Sequence, residues 1–177
     1  MYNVLNKKAT ASFNIDAYNR RVVAETDLEN GEVFVLTDYS TTDGEGEVWV
    51  ASAPTANATS LWMAASPEVV VVTDAMGNEY KGLTQDPRAF INAAGKIIDA
   101  MYLANGDIVE MTGANITGIG STANVYLITN TGNKLIASAT ASTGCNLRKV
   151  KTSTLNIGSG TIGGAVVPTY VFVVEGN

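Results

Sequence analysis

The residues best spaced for chemistry are Asp43, Glu45 and Glu47, three carboxylates at alternate positions around two glycines. On an extended segment they would share one side, the kind of oxygen cluster that calcium takes. A twelve-residue calcium loop fails here, because its closing acid would fall at Pro54. A solvated acidic turn is the expectation. Two glycine patterns come next: GSGTIG at 158–163 has the G-x-G-x-x-G form, and GIGSTA at 118–123 is its alanine-ended variant. A dinucleotide site needs a helix to begin at such a motif, so that N–H groups and dipole face the pyrophosphate. Each pattern instead runs into a strand-like stretch, VYLIT after Ala123 and a valine-rich run with Pro168 after Gly163. Both read as loop glycines.

The chain has no histidine and a single cysteine, Cys145. Histidine-based nucleophilic systems and zinc sites built from His and Cys are therefore excluded, as is an internal disulfide. A hydrolase working through paired carboxylates needs no local motif, and no such pair can be picked out by position. Trp49, Trp62 and Tyr126 have the ring faces that stack on sugars. Trp49 and Tyr126 fall inside expected strands, where core packing is the ordinary use. The expectation is a chain that is not an enzyme, with no catalytic residue, no metal ligand and no cofactor.

Charge narrows the partners. Seventeen acids against eleven bases give a net charge of −6 and a pI near 4.5. Nucleic-acid binding needs a basic footprint, and none is visible. No apolar run approaches the length of a membrane span, so no membrane partner is expected. Only 16% of residues are charged while 46% are apolar, which suits a folded chain with a neutral surface covered by neighbours. The N-terminus is polar where a secretory leader would be apolar, so synthesis in a cytoplasm is expected.

The elements that must position these residues follow from a repeat. RVVAETDLENGEVFVLT at 21–37 aligns without a gap on KIIDAMYLANGDIVEMT at 96–112, at an offset of 75 residues. Leu28/Leu103, Asn30/Asn105, Gly31/Gly106 and Thr37/Thr112 are identical between the copies. A β-branched pair, an Asn-Gly turn and a second apolar run spell strand–turn–strand, so each copy is expected to be a hairpin. EVWVA at 47–51 and NVYLI at 124–128 extend each copy to a third strand. Further strands are expected at 61–64, 68–73, 79–83, 134–137, 147–151, 154–157 and 165–174. Pro168 marks the last of these as an edge or bulged strand. Asp86-Pro87 starts the one short helix, near 87–94, with Gly95 as its stop. Residues 1–19 read either as a strand and a helical turn within the fold or as an arm that orders on a partner, and the arm is taken forward. The expected fold is an all-β barrel or sandwich made of an N-terminal arm (1–19) and two related β-modules (20–94 and 95–177) packed as one unit.

MYNVLNKKATASFNIDAYNRRVVAETDLENGEVFVLT at 1–37, LWMAASPEVVVV at 61–72, DPRAFINAAGKIIDAMYLANGDIVEMT at 86–112 and GSGTIGGAVVPTYVFVVEGN at 158–177 carry a resemblance. Over nearly its full length the chain resembles the capsid decoration (cement, or auxiliary head) proteins of tailed bacteriophages. That resemblance implies a β-rich virion protein that binds the outside of an assembled shell and stabilises it without catalysis. It also implies the major capsid protein as partner, self-association with a trimer as one form, and an N-terminal arm that adds a strand to the capsid. Lys7, Lys8, Phe13, Ile15 and Tyr18 are then the candidate capsid-contact residues. The alternative is a tail, baseplate or fibre β-module that binds host-surface carbohydrate through Trp49 and Trp62.

Overall fold

The computed structural model describes residues 1–41, 46–74, 76–83, 86–114, 116–157 and 164–177. Asp43 and Glu45 of the acidic turn, and the glycine pattern at 158–163, lie outside the described residues. In chain order the strands are β1 (Leu5–Ala9), β2 (Asn19–Val23), β3 (Val33–Tyr39), β4 (Val48–Ser52), β5 (Trp62–Ala64), β6 (Val69–Thr73) and β7 (Glu79–Leu83). They continue with β8 (Ile97–Tyr102), β9 (Ile108–Met111), β10 (Tyr126–Ile128), β11 (Ile136–Ser138), β12 (Asn146–Ile157) and β13 (Ala165–Glu175). The fold is all-β. A closed barrel runs β2-β4-β3-β5-β8, a six-stranded sheet runs β1-β9-β13-β12-β10-β11, and β6 pairs with β7 as a separate ribbon.

Side-chain size explains how five strands close. Val22, Phe34, Ala51, Ala64, Ile98 and Ala100 form the barrel interior, with Leu36, Trp49 and Trp62 packed against it. A five-stranded barrel is narrow, and alanine on three of its strands leaves room for Phe34 and the two indoles. The residues between these point outward and are apolar too. Val33, Met63 and Met101, with Leu61 and Leu103, join Val109, Met111, Leu127, Leu147, Phe172 and Val174 of the sheet in one core. Both faces are therefore buried at Val33–Phe34 of β3, Met63–Ala64 of β5 and Ala100–Met101 of β8. At about 1.5–3 kcal/mol for each fully buried large side chain, this seam holds barrel and sheet together.

Several expectations change. β2 and β3 are not neighbours, so the first copy of the repeat is no hairpin. After β2 the chain swings out to make a bridge from Leu28 to Asn92, which carries β2 away to pair with β4 and β8. In the second copy β8 closes the barrel while β9 enters the sheet. The Asn-Gly turns themselves are present, with Gly31 at φ +93° and Gly106 at φ +92°. Each is closed the same way, Glu32 N–H to Glu29 C=O at 3.1 Å and Asp107 N–H to Ala104 C=O at 2.9 Å. The acid then returns the favour, its carboxylate accepting from Glu29 N–H (3.1 Å) or Ala104 N–H (3.0 Å). Both turns also dock reciprocally on a strand end: Gly31 and Glu32 on Ala64, Gly106 and Asp107 on Val174. The duplicated unit is thus a docked turn.

The boundaries at 19 and 94 do not separate units. β1, from the expected arm, pairs with β9, and β8, from the expected second module, pairs with β2. The third-strand correspondence fails as well, because β4 lies beside β3 whereas β10 is not adjacent to β9. The short helix is a single 3-10 turn, Pro87–Ala89, where the Asp86 carboxylate accepts from Arg88 N–H. The two strands expected at 147–157 are one, β12, with an irregularity between Lys149 and Lys151. Pro168 sits where β13 pairs with β12 alone, beyond the stretch 170–173 that β9 covers. Its missing N–H faces an open edge there, as expected.

Candidate functional site

The N-terminal segment is tied down at its start by Asn3. Asn3 N–H donates to the Glu29 carboxylate (2.7 Å) and its side-chain amide to Asn30 C=O (2.9 Å). Its Oδ1 accepts from Gly113 N–H (2.8 Å) and the Thr112 hydroxyl (3.0 Å). β1 then runs antiparallel to β9, with Leu5 opposite Met111 and Asn6 opposite Glu110. Alternation sends Leu5 into the shared core and Asn6 and Lys8 to the other face, beside Glu110. A bulge between Lys7 and Ala9 breaks the ladder. Two 3-10 turns follow, Ala11–Phe13 and Asp16–Tyr18, fastened by Ala11 N–H to the Asp107 carboxylate at 2.8 Å. The expected free arm is therefore an integral edge strand.

The five candidate contact residues separate into two groups. Lys7 lies with its ammonium 5.5 Å from the centre of the Phe13 ring, and Phe13 is 60% and Ile15 42% exposed. These three present an outward surface. Lys8 is engaged by the buried Glu110 carboxylate at 2.8 Å. Tyr18 packs on Tyr102 (5.0 Å between ring centres), Tyr102 meets Trp62 edge-on (5.4 Å), and Arg20 lies over Trp62 (5.9 Å). Tyr18 and Trp62 thus help cover one end of the barrel.

A cleft of about 480 Å³, which the sequence did not reveal, opens between β1 and the barrel wall. Lys7, Arg20, Arg21, Asn30, Glu68 and Asp99 are among its lining residues. Arg21 and Asp99 face each other across the β2–β8 ladder. Only the strand register brings them together, and that register depends on residues nearly eighty positions apart. On the far side of the barrel Tyr39, half-exposed, stacks on Trp49 with ring centres 4.1 Å apart. The Trp49 N–H is covered and has no hydrogen-bond partner among the described residues.

Electrostatics in this region is structural. Burial would raise the Glu110 carboxyl, but the Lys8 ammonium and the Thr169 hydroxyl hold it below its ordinary value. Burial pushes the Glu32 carboxyl up; the Glu29 N–H that it accepts from opposes this, the Glu29 charge adds to it, and Lys134 opposes it from 3.9 Å. Cys145 is fully buried and its thiol is pushed up to about 12. A thiol with so little thiolate is a poor nucleophile. Among the described residues no three His, Cys, Asp or Glu side chains converge as a metal would require, and no helix is long and apolar enough to cross a membrane. Comparisons with protein-family models, curated proteins and solved structures gave no match.

Proposed function

We propose that the chain is a non-enzymatic structural protein of a tailed-phage virion that binds the outer surface of the assembled capsid and stabilises it. The observation that carries this reading is the exposed pair Phe13 and Ile15 on the turns after β1, with Lys7 of β1 over the Phe13 ring and the turns fastened to the Asp107 carboxylate through Ala11 N–H. Large apolar side chains exposed together have no use in the chain's own packing, and anchors of this kind dominate protein interfaces. A docking surface already fixed in place avoids the ordering cost that a free arm would incur. Among the described residues β1 has a strand neighbour on one side only, which leaves its other backbone edge for a strand of the major capsid protein. The sequence resemblance and the low charge of the surface point the same way.

The test is co-sedimentation with assembled capsids of the source phage. Wild-type protein is expected to bind saturably at a fixed ratio to the major capsid protein. Phe13→Glu/Ile15→Glu should weaken binding at least about tenfold, or about 1.4 kcal/mol, with thermal unfolding unchanged. Wild-type protein that leaves intact capsids bare would overturn the proposal. A second reading, a tail or fibre module for host carbohydrate, is favoured by the Tyr39–Trp49 stack alone. Glycan-array binding that Tyr39→Ala abolishes would select it.

A further inference from the structure

Among the described residues the β6–β7 ribbon pairs with no other strand. A groove of about 550 Å³ lined by Val69, Val70, Val71, Phe90 and Ile97 separates it from the barrel. Val69, Val71 and Tyr80 are 41%, 60% and 54% exposed, and they lie on both faces of the ribbon, since Tyr80 pairs with Val72 while Val71 pairs with Lys81. Two-stranded ribbons are marginal in water and gain from further strands. At the far edge of the six-stranded sheet, β11 is only three residues long and offers little to pair with.

We propose that this ribbon is the contact between two copies of the chain, formed by β7 pairing antiparallel with β7 of a second copy about Tyr80. The argument is charge complementarity within β7 itself, whose sequence is Glu79-Tyr80-Lys81-Gly82-Leu83. Centred on Tyr80, a two-fold pair sets ring against ring and places Glu79 of each copy opposite Lys81 of the other. Moving the centre one residue either way puts Lys81 opposite Lys81, or Glu79 opposite Glu79. One register is attractive and its neighbours are repulsive, which is how a self-complementary edge is specified. The outer edge of β6 has no such code, since four consecutive valines accept several registers equally. The contact is isologous and closes at two copies. It stands independently of the capsid reading.

Sedimentation equilibrium of the full chain over a range of concentrations tests it. Wild type is expected to dimerise, and Glu79→Lys and Lys81→Glu should each weaken the dimer at least about tenfold. An equimolar mixture of the two variants should restore association as a heterodimer, and Glu79→Lys/Lys81→Glu together should restore the homodimer. That rescue separates a lost contact from a lost fold. A chain that stays monomeric throughout, a dimer indifferent to either reversal, or variants whose mixture fails to associate would each overturn the proposal. So would a dimer lost only in Val71→Lys, which would move the contact to β6.

Discussion

Glu110 is covered by β1 and β13, and Lys8 and Thr169, with Asn6, reach its carboxylate. Its carboxyl titrates below the ordinary value in the folded chain. The stability it contributes is therefore complete above the usual carboxylate range and is lost as pH falls through the folded value. Glu32 works in the opposite sense, since burial raises it and its contribution fades as pH rises. In Lys8→Met the Glu110 partner is gone. That variant is expected to be about 1–3 kcal/mol less stable at neutral pH, with a shallower loss of melting temperature on acidification. Thermal melts from neutral to acid pH read both effects, and an unchanged acid limb would separate Lys8 from Glu110. The sequence offered Lys8 as a partner-binding cation. Its engagement by an acid over one hundred positions away is a product of the β1–β9 register, which no local pattern encodes.

The docked turns are where the repeat acts as an element, and they can be told apart. Gly31 and Gly106 share a left-handed backbone, but a Cβ on Gly31 would fall on the Asn3 amide and 2.8 Å from the Met111 sulfur. A Cβ on Gly106 meets nothing within 4 Å. Gly106→Ala should cost the backbone penalty alone, about 1–2 kcal/mol, or about 2–8 °C in melting temperature. Gly31→Ala should cost clearly more, because it also dislodges the N-terminal segment. Equal losses in the two variants would mean that Asn3 yields freely. These turns, nearly all the strands and the place of Pro168 were legible in the sequence, because each is written in neighbouring residues. The pairing of strands was not. Asn30-Gly31 and Asn105-Gly106 announce a turn, yet the Leu28–Asn92 bridge and the shared core decide that the flanking strands part company. For the same reason Phe13 and Ile15 could be read as exposed anchors, whereas the cleft beside Lys7 could not be seen.

At the scale of the whole molecule, barrel and sheet share one core, and each borrows a strand from what the sequence suggested was a separate segment. A piece spanning 20–94 lacks β8, which leaves β2 and β5 as open edges, and a piece starting at residue 19 uncovers Met111 and Val109. Neither is expected to show a cooperative melt. The full chain should unfold in one transition that coincides by circular dichroism and tryptophan fluorescence. Two resolved transitions would show that the seam through Met63, Met101 and Phe172 is weaker than its burial implies. The same connectivity governs how the chain comes into being. Leu5 must wait for Met111, Asn19 for Met101, and β9 for β13, which is made some fifty residues later. At about 5–20 residues per second, the valines and methionines of the first hundred residues stay uncovered for several seconds before any closing strand exists. Assembly from such distant pairings is slow once it starts. For this chain the hazardous interval is synthesis itself, when the four valines of β6 are an open invitation to aggregate and chaperone cover matters most.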